Sequence, residues 1–412
     1  MSALAYNFFR FLRGPRHQVL SERRLMPLDY TDDDIAKLRE INAKHKALSA
    51  ARRTVWLKDV LVWRRKLPGV EIAVSPPFTG RPNPAVTASR LIASTFSPGA
   101  LVAVDRSTGR RVWSTETLPY GSSSVLAHGD VVFAKTYSTL RALDAESGRE
   151  QWAVCPYGDH FSWIASSPTV SDGRLFIGGT GNRIYCLDAR SGAFLWWKLV
   201  SKDIAHNVIS PPVVVGPAVI AVSNAGFAVA YRAIDGRQIW RRKLDGPTIR
   251  EPHVVAGRLA IATSKSLYLL SPDDGSLARR RTWRGHEIGA FAANEDTVFL
   301  IVEKECRFRG RKYDFTTVIT EDHDERLIAL RDGDDVFEHP APVYVQGLRC
   351  SPETGLLYES RYDGLGIIDP TTGERMFNLP LKGKGTLSLV ETRAGMIYAL
   401  RERGEILALR HP

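Results

Sequence analysis

The chain has 412 residues, 44% of them hydrophobic, and a formal net charge of +11. That apolar content is ample for a buried core, and no run of eighteen apolar residues is present, so no membrane span is expected. The four cysteines, Cys155, Cys186, Cys306 and Cys350, are dispersed with no C-x-x-C spacing, imply no oxidising compartment and place the chain in the cytoplasm.

Residues 1–54 read as a basic extension. Residues 1–67 hold 15 Lys/Arg against 7 Asp/Glu, so most of the positive charge lies here and the remainder is nearly neutral. No acid precedes Glu22, and Arg10 and Arg13 interrupt any secretory apolar core. Phe8, Phe9, Arg10, Phe11, Arg13, Arg16, Arg23 and Arg24 are read as a docking peptide for other protein subunits, with an interfacial helix or a targeting sequence as alternatives. Nucleic acid is a secondary partner for the same cations, with a steep salt dependence as its signature. Thr31 followed by three aspartates reads as a helix start, and Ile35, Leu38, Ile41, His45 and Leu48 recur at helical spacing. The spacing predicts a helix over about 32–52.

Residues 60–67, with Trp63, read as a strand that has no repeat of its own before it. Beyond it one phrase recurs: an apolar strand, Asp, a Ser/Thr-Gly turn, then Trp. It runs Leu101 to Asp105, Gly109 and Trp113; Leu140 to Asp144, Gly148 and Trp152; Ile184 to Asp188, Gly192 and Trp196. Weaker copies contain Gly236 with Trp240, Gly275 with Arg279 in place of Trp, Gly333, Gly373 with Phe377, and Gly404. The turn glycines lie 39, 44, 44, 39, 58, 40 and 31 residues apart. Each interval also holds a second pair of short alternating runs, such as Ser167–Gly178, and four strands per repeat of this length specify a propeller blade. The Asp is expected to bind backbone N–H groups of its turn, the Gly to take the left-handed conformation, and the Trp to fill the wedge between blades.

The phrase Ala-x-Asp-x-x-Ser/Thr-Gly-x-x-x-Trp resembles the repeat of the PQQ-like β-propeller family. That family includes quinoprotein dehydrogenases and the propeller lipoprotein of the outer-membrane barrel-assembly machinery. The resemblance implies a fold and leaves function open, because the family holds both enzymes and scaffolds. The dehydrogenases' adjacent Cys-Cys pair is missing and no motif carries their calcium ligands, so no PQQ and no other cofactor is expected.

Blades are expected to begin near Asn83, Ser123, Ser166, Ser210, Arg250, Ile288, Gln346 and Thr386. The last offers three strands, and residues 60–67 supply the fourth and close the ring. The fold class is therefore all-β: an eight-bladed propeller over 55–412, of four-stranded blades, with a short helical extension. Blade six carries an insertion over about 303–326, read as a hairpin with a basic half (Arg307, Arg309, Arg311, Lys312) and an acidic half around His323. Its basic half is a candidate partner contact, and residues 321–325 are read as a solvated acidic turn rather than a metal site. Loops entering the inner strands carry a candidate ligand funnel: His160, Trp163, His206, Asn207, Arg250, Glu251, His286 and Arg349. The functional reading is a non-catalytic interaction scaffold docking through its arm and loop face. The alternative is a small-molecule binder or enzyme using that funnel.

Overall fold

The computed structural model describes residues 50–67, 71–72, 84–97, 99–116, 124–135, 139–155, 166–203, 206–208, 210–248, 250–304, 324–342, 345–361, 363–381, 387–401 and 404–412, together with scattered positions between 36 and 48. Eight sheets, each built on antiparallel strands, follow one another round a ring, and one of them gains a parallel edge strand. Blade three shows the pattern, running from inner to outer strand as Thr169–Ser171, Arg174–Gly179, Arg183–Asp188 and Phe194–Leu199. Blade one begins with two short segments, Glu71–Ile72 and Ala85–Val86, both paired to Arg90–Ser97. The observed first strands start within a few residues of the positions expected from the repeat.

Blade eight consists of Leu387–Arg393, Met396–Arg401 and Glu405–Arg410, and its outer strand is Leu61–Lys66. The early strand thus closes the ring, pairing antiparallel to Glu405–Arg410. It is shorter than expected at both ends, since Val60 completes the helical turn Leu57–Val60 and Leu67 has left the ladder. The register also corrects the last copy of the phrase. Gly404 lies between the second and third strands of its blade, so it is no third-to-outer turn like the other turn glycines.

The core sits between the blades. Eight buried clusters each join two neighbours, and one holds Tyr398, Leu400 and Ile406 of blade eight against Leu91, Ala93 and Val102 of blade one. At the outer rim the Trp–Gly phrase makes the seam. The indole of Trp113 covers Gly148 of the next blade, and a Cβ there would lie 2.6 Å from Trp113 Cδ2. The same indole donates from Nε1 to the Ala145 carbonyl at 3.1 Å. Trp63, Trp152, Trp196 and Trp240 repeat this on Gly109, Gly192, Gly236 and Gly275, donating to the carbonyls of Arg106, Ala189, Ala233 and Pro272. Each indole therefore fills a wedge and satisfies a turn carbonyl of its neighbour.

The turns behave as the sequence predicts. Asp105 Oδ1 accepts from the backbone and hydroxyl groups of Ser107 and Thr108. These bonds, the Ser107 hydroxyl foremost, hold its carboxyl down at about 2. Where the Trp is lost, Arg279 takes its place: its stem crosses Gly333, and Nη1 donates to the Asp332 carbonyl at 3.2 Å while Nη2 reaches Asp334. The degenerate copy of the phrase is thus a chemical variant of the same seam.

Candidate functional site

The third-to-outer turns occupy one side of the ring. The opposite side carries the loops that enter each inner strand and those that join second to third strands. The described funnel residues on this side bind the loops themselves. Asn207 is the clearest: its side chain accepts from the Gly181 N–H at 3.2 Å, its own N–H donates to Asn224 Oδ1 at 2.7 Å, and its carbonyl accepts from Asn224 N–H. It therefore stitches blade three to blade four. His206 places Nδ1 2.8 Å from an Asp203 carboxylate oxygen, and its carbonyl accepts from Asn182 N–H.

Arg250 donates from Nη2 to the Ile288 carbonyl at 2.8 Å, which ties the entry of blade five to the first strand of blade six. His286 is the first residue of a strand rather than a loop residue. Its two ring nitrogens lie 3.0 Å from the Arg284 carbonyl and 3.2 Å from Asp324 Oδ2. Asp324 lies just ahead of the strand Arg326–Arg331, so His286 ties the entry of that strand to the first strand of blade six. Arg349 lies within Val345–Cys350, on an inner strand, and not in a loop. Glu251 is half-buried beside Arg250. His160 and Trp163, the arm residues Phe8 to Arg24, and Arg307, Arg309, Arg311 and Lys312 lie outside the described residues. The insertion itself falls between Lys304 and Arg326, and Glu325, read as part of a solvated turn, is buried at its base.

Two arrangements go beyond the expectations from sequence. The first is a seam in which the extension joins the ring. Helical backbone is present at Ala36, Arg39, Glu40, Ala43, Lys44 and Lys46–Leu48 and stops at or before Ala50, short of the expected Arg52. Arg53–Thr54 then pairs parallel to Phe377–Asn378, adding a fifth strand to the outer edge of blade seven. Arg52 N–H donates to the Arg375 carbonyl, Val55 N–H to the Asn378 carbonyl, and the Arg52 guanidinium grips Glu374.

The second is a buried charge network beneath that strap. Glu359 is fully buried and accepts from Arg361 Nη1 at 2.9 Å and from Arg375 Nε and Nη2 at 3.0 and 2.9 Å. Burial alone would raise its pKa; the adjacent Arg375 and Arg361 outweigh it and hold the carboxyl below its ordinary value. Arg375 Nη1 also donates to the Leu48 carbonyl at 2.6 Å, so the network reaches the extension. Charged residues at 359 and 361, on one face of the strand Leu357–Arg361, are the sequence signal that marks it. Among the described residues, no group of three His, Cys, Asp or Glu is placed to hold a metal ion.

Four-stranded blades locked at their rims by an indole on the neighbour's turn glycine define an eight-bladed propeller of PQQ-like repeats. The profile of the family described as "Outer membrane protein assembly factor BamB" matches residues 46–155 and 136–290, more than half of the chain, and the chain belongs to that family. The curated BamB of Alkalilimnicola ehrlichii is 30% identical over 215 residues, which cover 49% of this chain and 51% of the relative. The chain spans about half or less of the length of the curated relatives it matches. In three dimensions it is similar to BamB from Moraxella catarrhalis, with TM-score 0.62, 17% identity, and coverage of 85% of this chain and 97% of the other. It is equally similar in fold to quinohemoprotein alcohol dehydrogenase from Comamonas testosteroni, with TM-score 0.65, 13% identity, and coverage of 86% and 77%. At these identities the structural likeness speaks for the fold alone.

Proposed function

We propose that the protein is a non-catalytic interaction scaffold, a rigid ring that docks within a larger assembly of proteins. The observation that carries this is the match of residues 46–290 to a family of assembly factors. The loop face supports it, because Asn207, His206, Arg250 and His286 hold the loops to one another and to neighbouring blades. The finer proposal is that Phe8, Phe9, Arg10, Phe11, Arg13, Arg16, Arg23 and Arg24 form the docking arm, assisted by Arg307, Arg309, Arg311 and Lys312.

Co-purification tests the scaffold reading. The full-length chain is compared with one lacking residues 1–46, a deletion that keeps the Leu48 carbonyl on Arg375. Defined protein partners, recovered with the full chain and lost with the deletion, are expected. A chain that runs alone and carries a tightly bound small molecule in native mass spectrometry overturns the proposal. Cytoplasmic placement rests on the cysteine pattern, and the relatives' outer-membrane naming lends it no support. Cell fractionation decides it.

A further inference from the structure

The outer strand of every blade is a sheet edge, and such edges invite pairing with another chain. This molecule accepts a fifth strand at one of them, where Arg53–Thr54 lies on blade seven. Blade three presents a different edge. Its outer strand Phe194–Leu199 ends the sheet, pairing only with Arg183–Asp188 among the described strands. Leu195, Trp197 and Leu199 share one face by the period of a strand, and they are 47%, 53% and 42% exposed. Trp196, on the other face, is engaged with Gly236 and the Ala233 carbonyl of blade four.

The corresponding exposed positions elsewhere are polar or mixed. They include Val112, Ser114 and Glu116 in blade one, Ile239, Arg241 and Lys243 in blade four, and Val62, Arg64 and Lys66 in blade eight. A row of three large apolar side chains on an open edge costs free energy in water and marks an interaction surface. Its surroundings are basic: Arg190, Lys198, Lys202, Arg241 and Lys243 lie on this strand, its flanking turns and the neighbouring outer strand. Of the nearby acids, Asp235 and Glu150 are in ion pairs with Arg232 and Arg141, Asp203 contacts His206, and Asp188 accepts from the backbone and hydroxyl of Ser191 in its own turn. The chain's own start is a poor match for this edge, since it is rich in arginine and holds no acid before Glu22.

We infer that the outer edge of blade three binds an extended, acidic segment of a partner protein, which adds to the blade as a fifth strand with apolar side chains set on Leu195, Trp197 and Leu199. Main-chain bonds to the edge supply affinity, and the apolar row and its basic rim supply selectivity. This rests on the scaffold reading and names its contact surface.

The probe is a fluorescent, end-capped peptide of about ten residues alternating Val and Glu, long enough to span the edge. It is titrated against the full-length chain by anisotropy. Saturable binding is expected, weakened at least about tenfold by Trp197→Asp and by Leu199→Asp, and by exchanging the peptide's Glu for Lys. N-methylation of alternate peptide bonds should abolish it. Both variants alter exposed positions, and unchanged circular dichroism and melting show that they fold. The inference is overturned by equal binding to Trp197→Asp, by equal binding of the Lys peptide, or by no saturation up to about 1 mM. A wild-type dimer lost in Trp197→Asp also overturns it, by assigning the edge to a second copy. If Trp197→Asp keeps all co-purifying partners, this surface fails while the scaffold reading stands. If the peptide binds but no partner co-purifies, the scaffold reading fails alone.

Discussion

Replacing Gly148 by alanine tests the inter-blade seam most directly. The position has φ +72°, where an L side chain costs about 1 kcal/mol. The added Cβ would also lie 2.6 Å from Trp113 Cδ2, so the indole must move by roughly 1 Å to restore ordinary contact at about 3.5–4 Å. Overpacking of this kind costs about 1–3 kcal/mol. The shift stretches the 3.1 Å bond from Trp113 to the Ala145 carbonyl, worth about 1 kcal/mol more. Gly173 supplies the control: its φ is +70°, but nothing lies within 4 Å of the place a methyl group would take. Gly148→Ala should therefore lose about 3–5 kcal/mol and Gly173→Ala about 1 kcal/mol. In a Trp113→Ala background the cost of Gly148→Ala should fall to about 1 kcal/mol, a coupling of about 2–4 kcal/mol. Urea midpoints at unchanged slope measure the wild type and all four variants. Equal losses at Gly148 and Gly173, or a Gly148 cost that survives removal of Trp113, would refute the seam.

Three further outcomes are expected. Lys135 is wholly buried and burial draws its pKa down to about 8 from 10.5, so the folded state releases its proton first; stability should rise with pH between about 8 and 10.5, and Lys135→Met should flatten that rise in pH-dependent melting. Glu359→Gln strands Arg361 and Arg375 without their buried anion and should cost about 3–5 kcal/mol by denaturant midpoint, with faster proteolysis near Arg52 as the strap loosens. Deleting residues 1–55 removes the strap but leaves the strand Leu61–Lys66, so the protein should stay soluble and fold cooperatively; deleting 1–67 exposes Glu405–Arg410 as an open edge and should give concentration-dependent aggregates by light scattering.

The architecture is legible because its determinants are local and repeated. Asp105, Gly109 and Trp113 each act within one turn or on the next blade, so three good copies define the ring. Even the closing role of Trp63 follows from a missing fourth strand. The Gly404 copy misleads because a glycine after an apolar strand suits any tight turn, and only pairing tells which turn it is. The strap at Arg53–Thr54 is invisible for a related reason: two residues have no periodicity, and their partner lies more than 300 positions away. Asn207 and Arg250 are recognisable as polar loop residues, but bonds to Asn224 and to the Ile288 carbonyl depend on how blades meet. Trp197 is overshadowed by the expected Trp196 beside it; the doubled tryptophan breaks strand alternation and is the available signal.

The closure of blade eight sets an order of events during synthesis. Leu61–Lys66 is synthesised more than 300 residues ahead of its partner Glu405–Arg410. Blades one to six can each be completed as they emerge, in the usual unit-by-unit manner. That strand must wait unpaired beside them until more than 300 further residues have been added. A chaperone that shields one short edge for that interval would protect the whole molecule, and a stalled or clipped chain would betray itself by a single unsealed blade.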